Sequence, residues 1–242
     1  MSTVLKLQDV SKAFGAITVS DELSYELQSG EALGVIGPNG AGKTSMFNLI
    51  TGALTPDAGS IWFNGTNVTG MSAAKRCRSG IARSFQIPQP FGAMSVFENA
   101  LVAATHGAGL AKSEANEQCL SALEQTGLLP KANILAGNLT LLERKRLELT
   151  RALCARPKLL LLDEIAGGLT EKECHSLVET IKDIRSTGIS IIWIEHIVHA
   201  LLAVVDRLVV IDFGRKIAEG EPKAIMDSKQ VKEIYMGIEV DG

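Results

Sequence analysis

The chain has 242 residues, 46% of them hydrophobic and 21% charged, which suits a folded core of one large domain or two small lobes. Its 24 Lys and Arg stand against 27 Asp and Glu, and the net charge of −3 gives no electrostatic footprint for nucleic acid. Cys77, Cys119, Cys154 and Cys174 are far apart and form no C-x-x-C pair. That argues against a zinc site or an iron–sulfur cluster and leaves reduced thiols in a cytosolic compartment as the expectation. The N-terminus MSTVLKLQDVSK has no cationic segment followed by an apolar run. The longest apolar candidate, LLAVVDRLVVI, is interrupted by Asp206 and Arg207, so no span is predicted and any membrane link has to come through a partner.

In chain order, residues 3–35 alternate loosely and break at Gly15 and Gly30. They read as short strands VLKLQDV and LSYELQ, then a buried strand ALGVI. GPNGAGKTS comes next and opens a helical run from Lys43 to about Leu54. SIWFNG and IARSFQ read as two further strands. From Ser95 to about Leu153 the pattern is helical, with breaks at His106–Gly109, Gly127–Pro130 and Gly137. LLLLDE is a fully apolar strand of the parallel-sheet kind. Helix and strand then alternate: Glu171–Arg185, ISIIWIE, Val198–Val204 and RLVVID, with RKIAEG and a C-terminal helical tail closing the chain. Strand–helix alternation at both ends predicts a mostly parallel α/β core, and the helix-rich middle reads as an inserted lobe.

Within that lobe, NLTLLERKRLELTRAL carries a helix start. Thr140 and Glu143 have capping-box spacing. Leu142, Leu147, Leu149 and Leu153 would form an apolar face, with Arg144, Lys145, Arg146 and Arg151 on a solvated side. The helix is either an ordinary surface helix or one whose N-terminus is aimed at an anion.

Two motifs carry chemistry. Gly37-Pro38-Asn39-Gly40-Ala41-Gly42-Lys43-Thr44 fits the phosphate-loop pattern G-x-x-x-x-G-K-[ST], placed between an apolar strand and a helix as that loop requires. Its glycines let successive N–H groups face phosphate oxygens, and the helix adds its positive end. Lys43 can reach the β- and γ-phosphates and Thr44 can ligand Mg²⁺. The second motif, Leu159–Glu164, ends an apolar strand in an acidic pair. Asp163 is placed to hold Mg²⁺ and Glu164 to polarise an attacking water. A guanine-reading N-K-x-D is not found, which disfavours a GTPase. A small-molecule kinase could carry the same loop with a helical lid, but would have no need of the further residues at Gln86 and His196.

Gln86 in ARSFQIPQPF resembles the glutamine loop of ATP-binding cassette (ABC) ATPases, and His196 in IIWIEHIVHAL resembles their switch histidine. Phe14 in SKAFGAIT falls where that family places an adenine-stacking aromatic. NLTLLERKRLELTRALCARPKLLLLDE is similar to the family's signature region, L-S-G-G-Q with a basic helix after it. The tail DRLVVIDFGRKIAEGEPKAIM, with AGNLTLLERKRLELTRAL and DEIAGGLT, resembles cassette subunits of branched-chain amino-acid importers. Taken singly, Gln86, His196 and Phe14 would read as structural residues; their joint order with the two phosphate motifs carries the resemblance.

The resemblance implies a single 1–242 domain of the phosphate-loop NTPase class. It would have a RecA-like core, an N-terminal antiparallel β subdomain and a helical lobe at about 88–155. It implies ATP and Mg²⁺ as ligands. Glu164, His196 and Gln86 would be catalytic. Phe14, Gly37, Asn39, Gly40, Gly42, Lys43, Thr44, Ser45 and Thr140 would contact nucleotide, and Thr44, Gln86 and Asp163 would hold metal. It implies a second ATPase subunit, permease subunits and, indirectly, a solute-binding protein as partners, with no nucleic acid, at the cytoplasmic face of the inner membrane.

The signature departs from the family. Leu139 and Thr140 fit Leu and Ser, but Leu141 and Leu142 replace glycines and Glu143 replaces Gln. Branched side chains restrict how closely the backbone approaches phosphate, and Glu143 brings negative charge unless it turns back to cap the helix. Ile165 replaces the usual proline, and Thr170 ends a loop where the family has Asp or Asn. A less capable signature face, and so an asymmetric heterodimer, is the expectation. Other readings are a urea or short-amide importer, a largely regulatory nucleotide-binding subunit, and a soluble cassette acting on ribosomes or DNA. The last usually carries two cassettes, coiled coils or basic tails.

Overall fold

The computed structural model describes residues 2–236. Met1 and residues 237–242, to which the predicted helical tail and the 1–242 boundary extend, lie outside the described residues. Two sheets organise the chain. The first is antiparallel: β1 (Thr3–Phe14) pairs with β2 (Ile17–Gln28) and with β4 (Ala58–Phe63), which pairs with β5 (Thr66–Asn67). The second has the order β10–β9–β3–β8–β7–β6. It comprises β3 (Ala32–Ile36), β6 (Ile81–Arg83), β7 (Leu159–Asp163), β8 (Ser190–Ile194), β9 (Arg207–Asp212) and β10 (Arg215–Gly220). All its pairs are parallel except the β9–β10 hairpin.

The uniform apolarity of β3, β7 and β8 has its cause in burial on both faces. Alternation assigns successive side chains to opposite layers. Leu160, Leu162, Ile191, Trp193, Leu208 and Val210 pack with Leu177, Ile181 and Ile184 of α6 (Glu171–Ser186). Leu159, Leu161, Ile192, Ile194 and Val209 pack instead with Met46, Phe47, Leu49 and Ile50 of α1 (Lys43–Thr51). The antiparallel sheet closes that second layer through Leu5, Leu7, Leu23, Leu27, Ile61 and Phe63.

The predicted breaks fall between α-helices. α3 (Val96–Val102) ends in a π-helical turn at Ala103–Gly107, α4 (Lys112–Gln125) stops before Gly127, and α5 (Leu141–Cys154) starts after the short turn at Ala136–Asn138. α7 (Val198–Leu202), α8 (Pro222–Asp227) and α9 (Lys229–Met236) complete the described helices. Several expectations are corrected in length: the short strands VLKLQDV and LSYELQ extend to the twelve residues of β1 and of β2, helix α1 stops at Thr51, where Gly52 adopts a left-handed cap, and the IARSFQ strand is only Ile81–Arg83.

α2 (Ala73–Ser79) is not among the helices expected from the sequence. AAKRCRS has no apolar period, because its one buried side chain is Arg76. The Arg76 guanidinium donates to the carbonyls of Leu49 (2.7 Å) and Ile50 (2.9 Å), closing the C-terminal end of α1.

α5 corrects the amphipathic reading. Its first half packs in the lobe core through Leu147, and its second half packs against the sheet layer through Leu149, Ala152, Leu153 and Cys154. No side of it is freely solvated. Lys145 is only 4% exposed and Glu148 equally so. Arg146 donates to Ser176 Oγ on α6 at 2.8 Å, and Arg151 to Glu148 Oε1 at 2.8 Å.

The capping box is formed: the Thr140 hydroxyl accepts from Glu143 N–H at 3.4 Å, and Glu143 accepts from Thr140 N–H at 3.0 Å. Glu143 therefore turns back on its own helix and also pairs with Lys131. Thr140→Ala is expected to lower stability by about 1 kcal/mol in urea unfolding. The Glu143 carboxyl is held below its ordinary value, first by the Lys131 hydrogen bond and then by the Thr140 amide against some desolvation. Its stabilising contribution is therefore present above the unfolded value of 4.5 and is lost as pH falls through the lower folded value. A Glu143→Gln penalty that persisted undiminished under acid conditions would contradict this.

Candidate functional site

The phosphate-type loop leaves β3 at the centre of the parallel sheet, where open α/β sheets place their ligand crevice. Two glycines there are sterically required. A Cβ on Gly37 would sit 2.0 Å from the Ile211 carbonyl oxygen, and one on Gly42, at φ 100°, would sit 2.3 Å from the Val19 carbonyl oxygen. Asn39, Gly40, Gly42, Lys43, Thr44 and Ser45 line a cavity of about 280 Å³, together with Val19 and Glu164. Lys43 is buried and its Nζ donates to the carbonyls of Gly37 (2.7 Å) and Pro38 (2.9 Å). Burial pushes its amine below the ordinary range, while Glu164 and Asp163 pull it back up. The loop thus holds a desolvated cation that an entering anion would satisfy better than two neutral carbonyls.

Thr44 also lines a second cavity of about 490 Å³, shared with Arg83, Phe85, Gln86, Glu148, Arg151 and Asp163. Asp163 ends β7, one strand removed from β3. Its Oδ2 accepts from Arg83 Nη2 at 2.5 Å, and its Oδ1 is buried without a hydrogen-bond partner among the described residues. Arg83 donates further to Asn48 Oδ1 at 2.7 Å and lies over the rings of Phe47 and Phe85 at 5.4 and 5.1 Å.

Glu164 joins the remaining predicted residues. It adopts a positive φ of 46°, and its amide donates to the Ile194 carbonyl at 2.8 Å. Its Oε2 accepts from Gln86 Nε2 at 2.5 Å and its Oε1 lies 2.7 Å from His196 Nε2. Three segments that are distant in sequence, ending β6, β7 and β8, converge on this carboxylate. A carboxylate in contact with a histidine at the edge of an anion cavity is equipped to take a proton from a water and to orient it.

Three predicted nucleotide contacts line neither cavity: Gly37, whose carbonyl accepts from Lys43 behind the loop, Phe14 and Thr140. Phe14 ends β1, half-exposed, with Lys12 Nζ 5.4 Å from its ring centre. It shares a hairpin with Val19, which does line the phosphate-side cavity. Thr140 lies at the head of α5 and lines neither cavity.

The family described as ABC transporter matches residues 20–167, a span holding the phosphate loop, Gln86, the signature region and the acidic pair. The chain belongs to the ABC transporter ATPases. Over 97% of its length, the cassette is 34% identical to the high-affinity branched-chain amino acid transport ATP-binding protein LivG of Salmonella typhimurium, covering 98% of that protein. It is equally similar to BraF of Pseudomonas aeruginosa. It is 31% identical to the lipopolysaccharide export ATP-binding protein LptB of Acidithiobacillus ferridurans over 98% of each chain. A nucleotide-free ABC cassette superposes with a TM-score of 0.89 at 30% identity, covering 98% of this chain and all of that one. The cassette is accordingly a nucleotide-binding ATPase.

Arg83, Glu148, Lys145 and Glu195 were not expected from the sequence as residues at or near the cassette's site. Arg83 lies three residues before Gln86, inside a segment read as a strand, so a signal was present. Lys145 and Glu195 offer none, because only burial distinguishes them from surface charges.

Proposed function

We propose that this chain is the ATP-hydrolysing subunit of an importer for branched-chain or other amino acids. The carrying observation is the Gln86–Glu164–His196 chain of contacts at the mouth of the Lys43 cavity. In this reading the chain is one cassette domain, with the segment at about 88–155 as its inserted lobe. Phe14 stacks on adenine, and Gly37, Asn39, Gly40, Gly42, Lys43, Thr44 and Ser45 hold the phosphates.

A divalent ion fits the residues present: the buried Oδ1 of Asp163, without a hydrogen-bond partner among the described residues, and the hydroxyl of Thr44 border one cavity. Thr44, Asp163 and the Gln86 amide oxygen would hold Mg²⁺, which supplies neutralisation of phosphate charge when bound with ATP. Glu164 takes the proton of the attacking water, and His196 and Gln86 hold the carboxylate at its place. Lys43 leaves its two carbonyls for the phosphates.

Similarity to LivG and BraF supports the amino-acid assignment, and a urea or short-amide importer is the alternative. Uptake of labelled leucine by cells lacking this chain distinguishes them. Lost leucine uptake supports the first, and intact leucine uptake with lost urea uptake overturns it.

The partners in this reading are permease subunits and, through them, a solute-binding protein; nucleic acid is not among them. Among the described residues no helix is long and apolar enough to cross a membrane. The chain would sit peripherally at the cytoplasmic face of the inner membrane by docking residues 87–100 on a permease. Exposed Ile87 and Phe91 there support this.

A regulatory reading has one observation in its favour. Leu141 stands at the head of α5, 44% exposed, where a glycine would leave the helix amides open. Its side chain reaches toward Gly168, two residues before Thr170, whose hydroxyl is occupied in a capping box with Glu173. We infer that this face serves a partner's nucleotide poorly and that the functional pair is a heterodimer of cassettes. Light scattering of Glu164→Gln protein with Mg-ATP tests this: a monomer that still binds ATP is expected, and a stable homodimer would overturn it.

A further inference from the structure

Glu195 precedes His196 and is 2% exposed. A carboxylate withdrawn from water is tolerated only where donors and compensating charge surround it. Here the donors are main-chain amides. Ala166 N–H donates to Oε2 at 3.0 Å, while His196 N–H and Ile197 N–H donate to Oε1 at 2.9 and 3.3 Å. Ala166 lies two residues beyond Glu164, on the loop leaving β7. His196 and Ile197 lie on the loop leaving β8. One side chain therefore fastens together the two loops whose side chains meet at 2.7 Å in the Glu164–His196 contact.

The fastening answers a need visible in the backbone. Glu164 holds a positive φ of 46° without being glycine, a conformation that persists only where neighbours over-determine it. The Glu164 amide bond to Ile194 fixes one side of the turn, and the Glu195 bond to Ala166 fixes the other. The His196 ring is partly exposed, and among the described residues its one hydrogen-bond partner is the Glu164 carboxylate, so its place depends on its backbone. Compensating charge arrives from α5: buried Lys145, depressed by desolvation, is drawn back up first by Glu195 and then by Glu164.

We propose that Glu195 is a positioning residue for hydrolysis, setting His196 against Glu164 by clamping the loops that carry them. The proposal rests on the reading of Glu164 and His196 as the hydrolytic pair.

Glu195→Gln keeps the shape but replaces one acceptor oxygen with an NH₂ group, which cannot accept from the amides on its side. In the chain assembled with its partner cassette, kcat is expected to fall about tenfold, equivalent to about 1.4 kcal/mol. Equilibrium binding of a fluorescent ATP analogue is expected to stay within about twofold of wild type. Because Glu195 acts through His196, the double variant Glu195→Gln, His196→Ala should be no slower than His196→Ala alone. An unchanged kcat in Glu195→Gln beside an impaired His196→Ala overturns the proposal alone, as do multiplicative losses in the double variant. Full turnover by His196→Ala overturns the underlying reading of that histidine, and the proposal with it. Hydrogen exchange on the wild-type chain needs no variant to fold. Protected amides at Ala166 and His196 are expected, and unprotected exchange at both overturns the clamp.

Discussion

Glu164→Gln is expected to lose about 10²–10⁴-fold in ATP turnover, the span associated with removing a positioned general base. The variant should keep ATP bound rather than release it. Glu164 bonds to Gln86 and His196, whereas Lys43 bonds to the loop carbonyls, so removing the carboxylate leaves the phosphate cradle in place. An amide at that position is nearly isosteric, which limits the change to charge and proton affinity. Phosphate release and equilibrium nucleotide binding, measured on the same preparation, separate the two effects. Wild-type turnover would remove Glu164 from the mechanism, and lost ATP binding would mean that it acts in the cradle rather than on water.

Arg83→Met should lower the stability of the nucleotide-free protein by about 3–5 kcal/mol, because it strips the partner from a buried carboxylate. The Arg83 and Asp163 side chains are 9% and 4% exposed, so little water remains to replace the lost donor. The same change removes the guanidinium from between Phe47 and Phe85 and leaves Asn48 Oδ1 without its donor. Adding Asp163→Asn should recover part of the loss, since the uncompensated charge goes with it. Urea unfolding of the two single variants and the double variant measures the coupling. A loss under about 1 kcal/mol, or strict additivity, would mean that solvent already screens this pair.

Glu164 and Arg83 differ in how visible they are in the chain. Glu164 ends an apolar run and follows Asp163, so adjacency alone marks it. Arg83 is set against Asp163 by the parallel register of β6 on β7, in which Arg83 stands opposite Leu161. Nothing local encodes a pairing across eighty residues. The helix starts at Ser95 and Thr140 were legible, because a cap and its Glu lie within one turn and act by local bonds. α2 was not legible, because it is held by a buried arginine reaching another helix rather than by an apolar stripe.

α5 marks the boundary between the two kinds of information. Its start, length and cap follow from the order of residues. The assignment of Lys145 to a solvated face failed because periodicity assumes one buried side, whereas this helix is covered by the lobe on one side and the sheet layer on the other. Residue order was enough for the phosphate loop, the acidic pair and the β–α alternation, all of which are written in contiguous residues. Packing alone settled which charges lie inside and which partners they meet, as with Lys145, Glu195 and Arg83. Burial is a property of the layers on either side of an element, and those layers come from distant parts of the chain.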